Sequence, residues 1–505
     1  MQGLKNSLKR IVSLVLTLSM LLIFTVACNN NGNVAVNETS APVIPSAEVS
    51  GGGRTDSTPS GAGSAFNNYA GPVLPLSVVD TMEEIAMSRN VYFDFSGFSR
   101  VPNGRFDYGN IKITDKYTLA NGSVSDVTAR ILYPFISDFT KLSGQLPVIT
   151  LPGAELETGL IAGAYSGGFI SWDGTDSVAA NPKRVDSWEG YASLLSDGDY
   201  VNRAFEEASS LNQSVTVYEF SNARNDSSAP AVAPTLAASF SLDNSKTKVH
   251  TYFFNGTESD AGYMRQSFFI PEEWHYHFGL SRYMIVFGDD ISDLTIQGYK
   301  DGGCRKGEEL DGVKADISRY EMEFGDILAI MLEDFMQLYY DGRVADSLYF
   351  NKEYIIDPML IYKAAVDHMF DYGILAHNIA WRYDMGMGLY DFFVDVLALE
   401  RVFFLVADVV IPAGEDIELK VDMIKPGSFN LPGFGLDNLD TYGYDIMTQI
   451  GSGQIPNSLT LWFIGAEYVD ILSQNLSFDT KSESSSITVD PNVPHYFLNI
   501  CRRNT

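Results

Sequence analysis

A serine set among glycines, Ala164-Tyr165-Ser166-Gly167-Gly168, follows the run Leu146-Pro147-Val148-Ile149-Thr150-Leu151-Pro152-Gly153. The two pieces have the outline of a strand, an oxyanion loop and a nucleophile elbow, with His495 as a base, an arrangement suited to hydrolysis by acyl transfer. The spacing argues against it. About a dozen residues separate the pieces, too few for the helix and strand that must intervene. A glycine-rich turn accounts for Ser166 without catalysis.

Metal chemistry has two candidate positions. Trp274-His275-Tyr276-His277 places His275 and His277 at i and i+2, one face of a strand, with Glu272 and Glu273 beside them. These are zinc-type donors, but an H-x-H pair alone is a weak signal, and an aromatic surface patch explains it. Asp289, Asp290 and Asp293 crowd one loop. Such carboxylates hold Ca²⁺ when they converge, although the pattern is not an EF-hand loop and Asp is also a common turn former. Asp197-Gly198-Asp199 reads as a turn between helices. Glu321 and Glu323 are read on a helix, where i and i+2 diverge, so they do not flank one glycosidic bond. The tyrosines and five tryptophans scatter along the chain, and core packing explains most of them. No P-loop, dinucleotide fingerprint or HExxH occurs, and no cofactor is expected.

The chain start says where this chemistry would operate. Lys5, Lys9 and Arg10 precede an apolar run from Ile11 to Phe24, closed by Thr25-Val26-Ala27-Cys28. That is the layout of a secretory signal, and the run is short for a comfortable membrane span. With a cysteine at the first mature position, it resembles the lipobox of bacterial lipoproteins, with Thr25 where Leu is usual. The resemblance implies acylation of the Cys28 thiol (a palmitate-type anchor), loss of residues 1–27, and tethering to the outer face of the cell membrane. Residues 28–65 are rich in Asn, Ser and Gly and read as a flexible spacer.

The 505 residues carry 34 bases and 64 acids, a net charge of −30. Such a surface repels nucleic acid and anionic headgroups, which excludes both as direct partners. The acids also keep an exposed protein soluble. Of three cysteines, Cys28 goes to lipid. An extracytoplasmic location permits a Cys304–Cys501 disulfide, but the spacing does not demand one.

Hydropathy patterning predicts an α+β, mainly β chain. It has antiparallel, immunoglobulin-like sandwich regions over 66–312 and 401–505, with a helical subdomain over 313–400. Alternation in Ile111–Leu119 and Val127–Tyr133 around Asn121-Gly122 predicts a hairpin. Ile317, Tyr320, Phe324, Ile327, Leu328, Met331 and Phe335 recur at helical spacing, and Asp357-Pro358 opens a second helix. Ile417, Leu419, Val421 and Met423 alternate with charges in a strand with one wet face.

The runs Tyr165–Phe169, Val215–Phe220, Ile296–Cys304, Val409–Val421, Tyr442–Gly453 and Pro494–Ile500 are similar to uncharacterised surface lipoproteins of Gram-positive bacteria. That resemblance implies placement and no particular activity. The expectation is a lipid-anchored envelope protein with a non-enzymatic binding or structural role, whose partner is another envelope protein or a small ligand. A solute-binding lipoprotein of a transporter is the first alternative, but needs repeated β/α alternation. A secreted hydrolase centred on Ser166 or His275 and His277 is the second.

Overall fold

The computed structural model describes residues 66, 68–79, 85–99, 109–165, 188–272, 279–341, 355–372, 388–430, 440–479 and 485–503. Its first strands are β1 (Ser77–Val79), β2 (Ile85–Asp94), β3 (Ile111–Asn121), β4 (Val127–Ser137), β5 (Val148–Leu151), β6 (Ala154–Glu155) and β7 (Gly159–Tyr165). Helices α1 (Trp188–Ser196) and α2 (Gly198–Asn202) follow. Then come β8 (Ser214–Asn225), β9 (Thr235–Ser241), β10 (Thr247–Tyr252), β11 (Gly256–Asp260), β12 (Tyr263–Phe269), β13 (Arg282–Gly288), β14 (Ser292–Tyr299) and β15 (Val313–Glu323). Three longer helices, α3 (Phe324–Tyr340), α4 (Pro358–Tyr372) and α5 (Leu389–Ala398), lead to β16 (Arg401–Ile411) and β17 (Asp416–Lys425). The chain ends in β18 (Thr441–Met447), β19 (Ser458–Ile464), β20 (Val469–Gln474), β21 (Ser486–Val489) and β22 (His495–Arg502). Among the described residues, 49 % are strand and 19 % helix, so the fold is α+β and mainly β.

Both ends of the chain build the same sheets. A seven-stranded sheet runs β21-β19-β2-β3-β17-β5-β6, and a four-stranded sheet runs β1-β4-β16-β7. β17 lies between β3 and β5, and β16 between β4 and β7, so residues 401–425 complete sheets begun before residue 165. Alternation fixes which face is buried. Met87, Val91 and Phe93 of β2, Ile113, Tyr117 and Leu119 of β3, and Leu419 and Val421 of β17 share one core with Ile131 and Tyr133 of β4 and Leu405 of β16. A three-stranded sheet, β18-β22-β20, adds Tyr444, Ile446 and Ile500 to that core.

Residues 214–323 form a second sandwich, β10-β13-β8-β15 on β11-β12-β9-β14, with its own core of Phe220, Phe240, Phe254, Phe268 and Met284. The other side of β8 and β13 (Val217, Ile285, Phe287) packs with α3, α4 and α5 into the first core. Asp357 caps α4 by accepting from the Met359 amide at 2.9 Å, with Pro358 in the first turn.

Two expectations are corrected, and the open question of the cysteines is answered. β3 and β4 do not form a hairpin. They enter different sheets, and the Asn121 amide instead donates to Ser125 O (2.8 Å) and Ile411 O (3.0 Å), pinning the corner between sheets. Residues 313–323 are strand, pairing with β8 over their length. As an edge strand β15 buries little, so its two-residue period is faint and the Ile317–Tyr320 spacing mimicked a helix. Cys304 and Cys501 are both free thiols, one beyond β14 in the second sandwich and the other on β22.

A buried ion pair ties the first body together. Arg89 Nη2 and Asp115 Oδ2 are 2.8 Å apart with both side chains at 0 % exposure. Arg89 also donates to Met447 O (2.7 Å) and Leu74 O (3.2 Å), and Tyr117 donates to Asp115 at 2.7 Å. Burial alone would pull the Arg89 pKa down; the Asp115 charge and hydrogen bonds more than offset that and raise it. Asp115→Ala strands the guanidinium and is expected to cost about 3–5 kcal/mol, whereas the pair replacement Arg89→Met with Asp115→Leu recovers most of it. Urea denaturation of the three chains measures both.

Candidate binding face

The outward face of the seven-stranded sheet carries the best-formed surface feature among the described residues. In β2 the inward residues alternate with Ser88, Asn90, Tyr92 and Asp94; in β19 they alternate with Thr460, Trp462 and Ile464. β19 runs parallel to β2 with Trp462 paired to Tyr92. Their rings stack at a centroid distance of 5.5 Å and an interplanar angle of 12°. Trp462 Nε1 donates to Asn90 Oδ1 at 3.3 Å across 372 positions of sequence. On the other side, Lys116 Nζ lies 5.8 Å from the Tyr92 centroid.

Strand register extends this pair into rows. Tyr92 is opposite Thr114, which is opposite Asp422; Thr460 is opposite Thr488. Thr114 Oγ1 donates to Asp422 at 2.5 Å, and Lys112 and Lys420 approach the same carboxylate at 3.4 and 2.5 Å. Burial pushes Asp422 up, but hydrogen bonds from Lys420 and Thr114 and the charges of Lys112 and Lys420 hold it below the usual carboxylate range. Ile464, Ile424 and Val148 stand exposed at the margins. The face therefore combines an aromatic pair, hydroxyls, an amide and balanced charges. It holds no nucleophile with a base. Such an arrangement can stack on ring faces and hydrogen-bond to hydroxyl-rich groups.

The residues singled out in the sequence fare differently. Cys28, Ser166, His275 and His277 lie outside the described residues. Asp289, Asp290 and Asp293 do not converge. Asp290 accepts from Arg319 at 2.7 Å and from Tyr218 at 3.0 Å, Asp289 lies 3.8 Å from Lys246, and Asp293 accepts from Ser292. Among the described residues, no group of three or more His, Cys, Asp or Glu is placed to hold a metal. Glu321 and Glu323 sit on strand β15, not on a helix, and Glu321 accepts from Arg319 at 3.5 Å. Asp197 is an N-cap, accepting from the Asp199 amide at 3.0 Å. His495 does have a carboxylate partner, Asp445, at 2.6 Å, but the two are 6 % and 1 % exposed at the side chain, so no substrate reaches them.

Sequence reasoning missed Tyr92 and Trp462. The signal was present within each strand: in Ser458–Ile464, Leu459, Leu461 and Phe463 share a phase that leaves Trp462 outward. The parallel pairing that joins the two rings carries no local mark.

A buried lysine with a shifted pKa also needs assignment. Lys425 borders a cleft with Pro72, Pro134, Gln145 and Met423, and its ammonium donates to Ala70 O. Burial lowers it to about 8, against the opposing charges of Glu400 and Asp445. The cleft encloses only ≈ 10 Å³, room for about one water, so Lys425 supports structure here.

Two outcomes are expected. A double-mutant cycle on Tyr92→Ala and Trp462→Ala gives a coupling of about 0.5–1.5 kcal/mol in urea denaturation. Because Lys425 titrates near 8 when folded and near 10.5 when unfolded, the unfolded chain binds more protons between those values. Wild-type stability therefore rises relative to Lys425→Met as pH goes from 8 to 10, in paired melts of the two chains. Comparison with known proteins gives no matching family model and no matching curated relative, so the geometry alone carries the functional reading.

Proposed function

We propose that this is a lipid-anchored, extracytoplasmic binding protein that holds glycan strands of the cell envelope on the outward face of its seven-stranded sheet. The carrying observation is the Tyr92–Trp462 stack with its Asn90, Thr114 and Thr460 surround. Aromatic ring faces are electron-rich and attract the polarised C–H groups of a sugar ring, while neighbouring hydroxyl and amide groups bind its hydroxyls. Few charges on this face are left uncompensated, which suits a neutral ligand.

Placement rests on the sequence: a secretory-type signal over residues 1–27, then Cys28 and a polar spacer leading to Phe66, which is buried. Its lipid supplies the membrane contact, with no nucleic acid partner. The transporter alternative finds no support in the sheets, where β2–β19 is parallel and the other strand pairs are antiparallel among the described residues.

Two experiments test this. In cells, Cys28→Ala is expected to abolish palmitate labelling and release the chain to the medium; continued labelling overturns the anchor. For the face, sedimentation of a chain starting at Phe66 with insoluble cell-wall polysaccharide is expected to be saturable. Trp462→Ala should weaken it at least about tenfold, which corresponds to about 1.4 kcal/mol. Equal binding by Trp462→Ala sinks the assignment of the face.

A further inference from the structure

The Tyr92–Trp462 stack leaves one ring face open. The centroids lie 5.5 Å apart and the planes meet at 12°. Two parallel rings that close cannot lie side by side in one plane, so they overlap, and each gives one face to the other. Lys116 stands over the second face of Tyr92, 5.8 Å from its centroid and on the β3 side. Trp462 has no ring contact besides Tyr92 among the described residues, and its indole N–H is given to Asn90. Its second face therefore looks away from β2, toward β21.

The strand on that side is the edge of the sheet. β21 pairs antiparallel with β19 and sets Ser486 directly opposite Trp462. Opposite residues of such a pair point to the same side of the sheet. A large indole beside a serine makes a step, with the indole as wall and Ser486 as floor. Two residues along the strands, a distance of about 6.8 Å, Thr460 and Thr488 face each other with hydroxyl oxygens 3.2 Å apart. That bond employs one of their two protons, so the pair keeps a donor and several lone pairs for a ligand. Neither β19 nor β21 contains a charged residue, in a chain with 64 acids and 34 bases. An ionised ligand would find no counter-charge on these two strands.

We propose that this step is a sugar subsite, which takes one pyranose unit of an uncharged glucose-type glycan against the outer face of Trp462, with Ser486 and Thr488 setting the fit. The inference rests on the glycan-binding reading above and names where the sugar sits and which sugars are accepted. A pyranose stacks through a face that carries only C–H bonds, and the glucose type has two such faces because its hydroxyls all lie at the ring rim. With one face on the indole, the rim points down to Ser486 and along the strand to the Thr460–Thr488 pair. The wall stands on one side only, so an internal unit of a long chain fits as well as an end. An acidic glycan is rejected, since its charges gain no partner here and meet a protein of net charge −30. A bulky side chain in place of Ser486 would fill the space that the sugar occupies.

The test uses the full chain in detergent, titrated with cellotriose (an uncharged glucose trimer) and, at matched ionic strength, with a glucuronate trimer. The readouts are the Trp462 Nε1–H resonance, assigned by its loss in Trp462→Phe, and saturation transfer from aromatic protons to the sugar. Cellotriose is expected to shift that resonance saturably and to receive saturation mainly on its axial ring C–H groups. The glucuronate trimer should bind at least about tenfold more weakly. Ser486→Leu is expected to weaken cellotriose by a similar factor, whereas Ser486→Ala, which keeps the floor small, binds nearly as the unaltered chain does. Equal cellotriose binding by a folded Ser486→Leu overturns the subsite, as does equal binding of the glucuronate trimer. Absence of saturation transfer to the sugar C–H groups overturns it without recourse to any variant at Ser486. If the subsite falls in one of these ways while sedimentation with cell-wall polysaccharide still depends on Trp462, the assignment of the sheet face stands. Sedimentation that is indifferent to Trp462→Ala sinks the face and the subsite together.

Discussion

The first body is organised by one charge pair that cannot be exposed. Arg89 and Asp115 sit on neighbouring strands, β2 and β3, at positions where alternation turns both side chains into the core. Once inside, every polar atom must be met, and the partners come from far apart: Leu74 before β1, Met447 at the end of β18, Tyr117 on β3 and Tyr133 on β4. Tyr117 in turn accepts from the Leu76 amide at 3.0 Å. A buried pair of this kind adds little net stability over apolar packing, but it is intolerant of misregister. A one-residue slip of β2 would turn Arg89 outward and leave Asp115 buried alone.

That intolerance gives the binding face its order. The register that puts Arg89 on Asp115 also places Tyr92 beside Thr114 and Asn90 beside Lys116 on the opposite face of the same strands. The inward side of β2 thus specifies what its outward side presents. The second sandwich shows a related economy. β13 serves two cores at once.

Strand and helix identity was largely legible in local residues. Ile417 to Met423 alternates with Glu418, Lys420 and Asp422, and the strand has that wet and dry face. Asp357-Pro358 announces α4 through capping chemistry confined to a few adjacent residues. Partnership was not legible. Asn121-Gly122 has the right residues for a hairpin, yet the preference of a turn is worth less than the burial gained when β3 pairs with β2 and β17. The helical reading of 313–323 failed because an edge strand gives no strong period. The Tyr92–Trp462 face escaped for the same reason as the sheet order: each half is visible in its own strand, and the distance between them is not.

The interleaving of the chain ends carries a consequence for the order of folding. The second sandwich draws all its strands from one continuous stretch, 214–323, so it closes as soon as that stretch is available. β2, β3 and β4 come earlier in the chain but wait for β19, β17 and β16, whose contacts span most of its length. Such distant pairings make for slow folding. Throughout synthesis, the inner faces of β2, β3 and β4 stay open, and β3 offers a bare edge to any extended segment that meets it. A nascent chain is therefore an already folded middle preceded by unsheltered strands, and loss of the chain from β16 onward would leave β2, β3 and β4 without the strands that flank them.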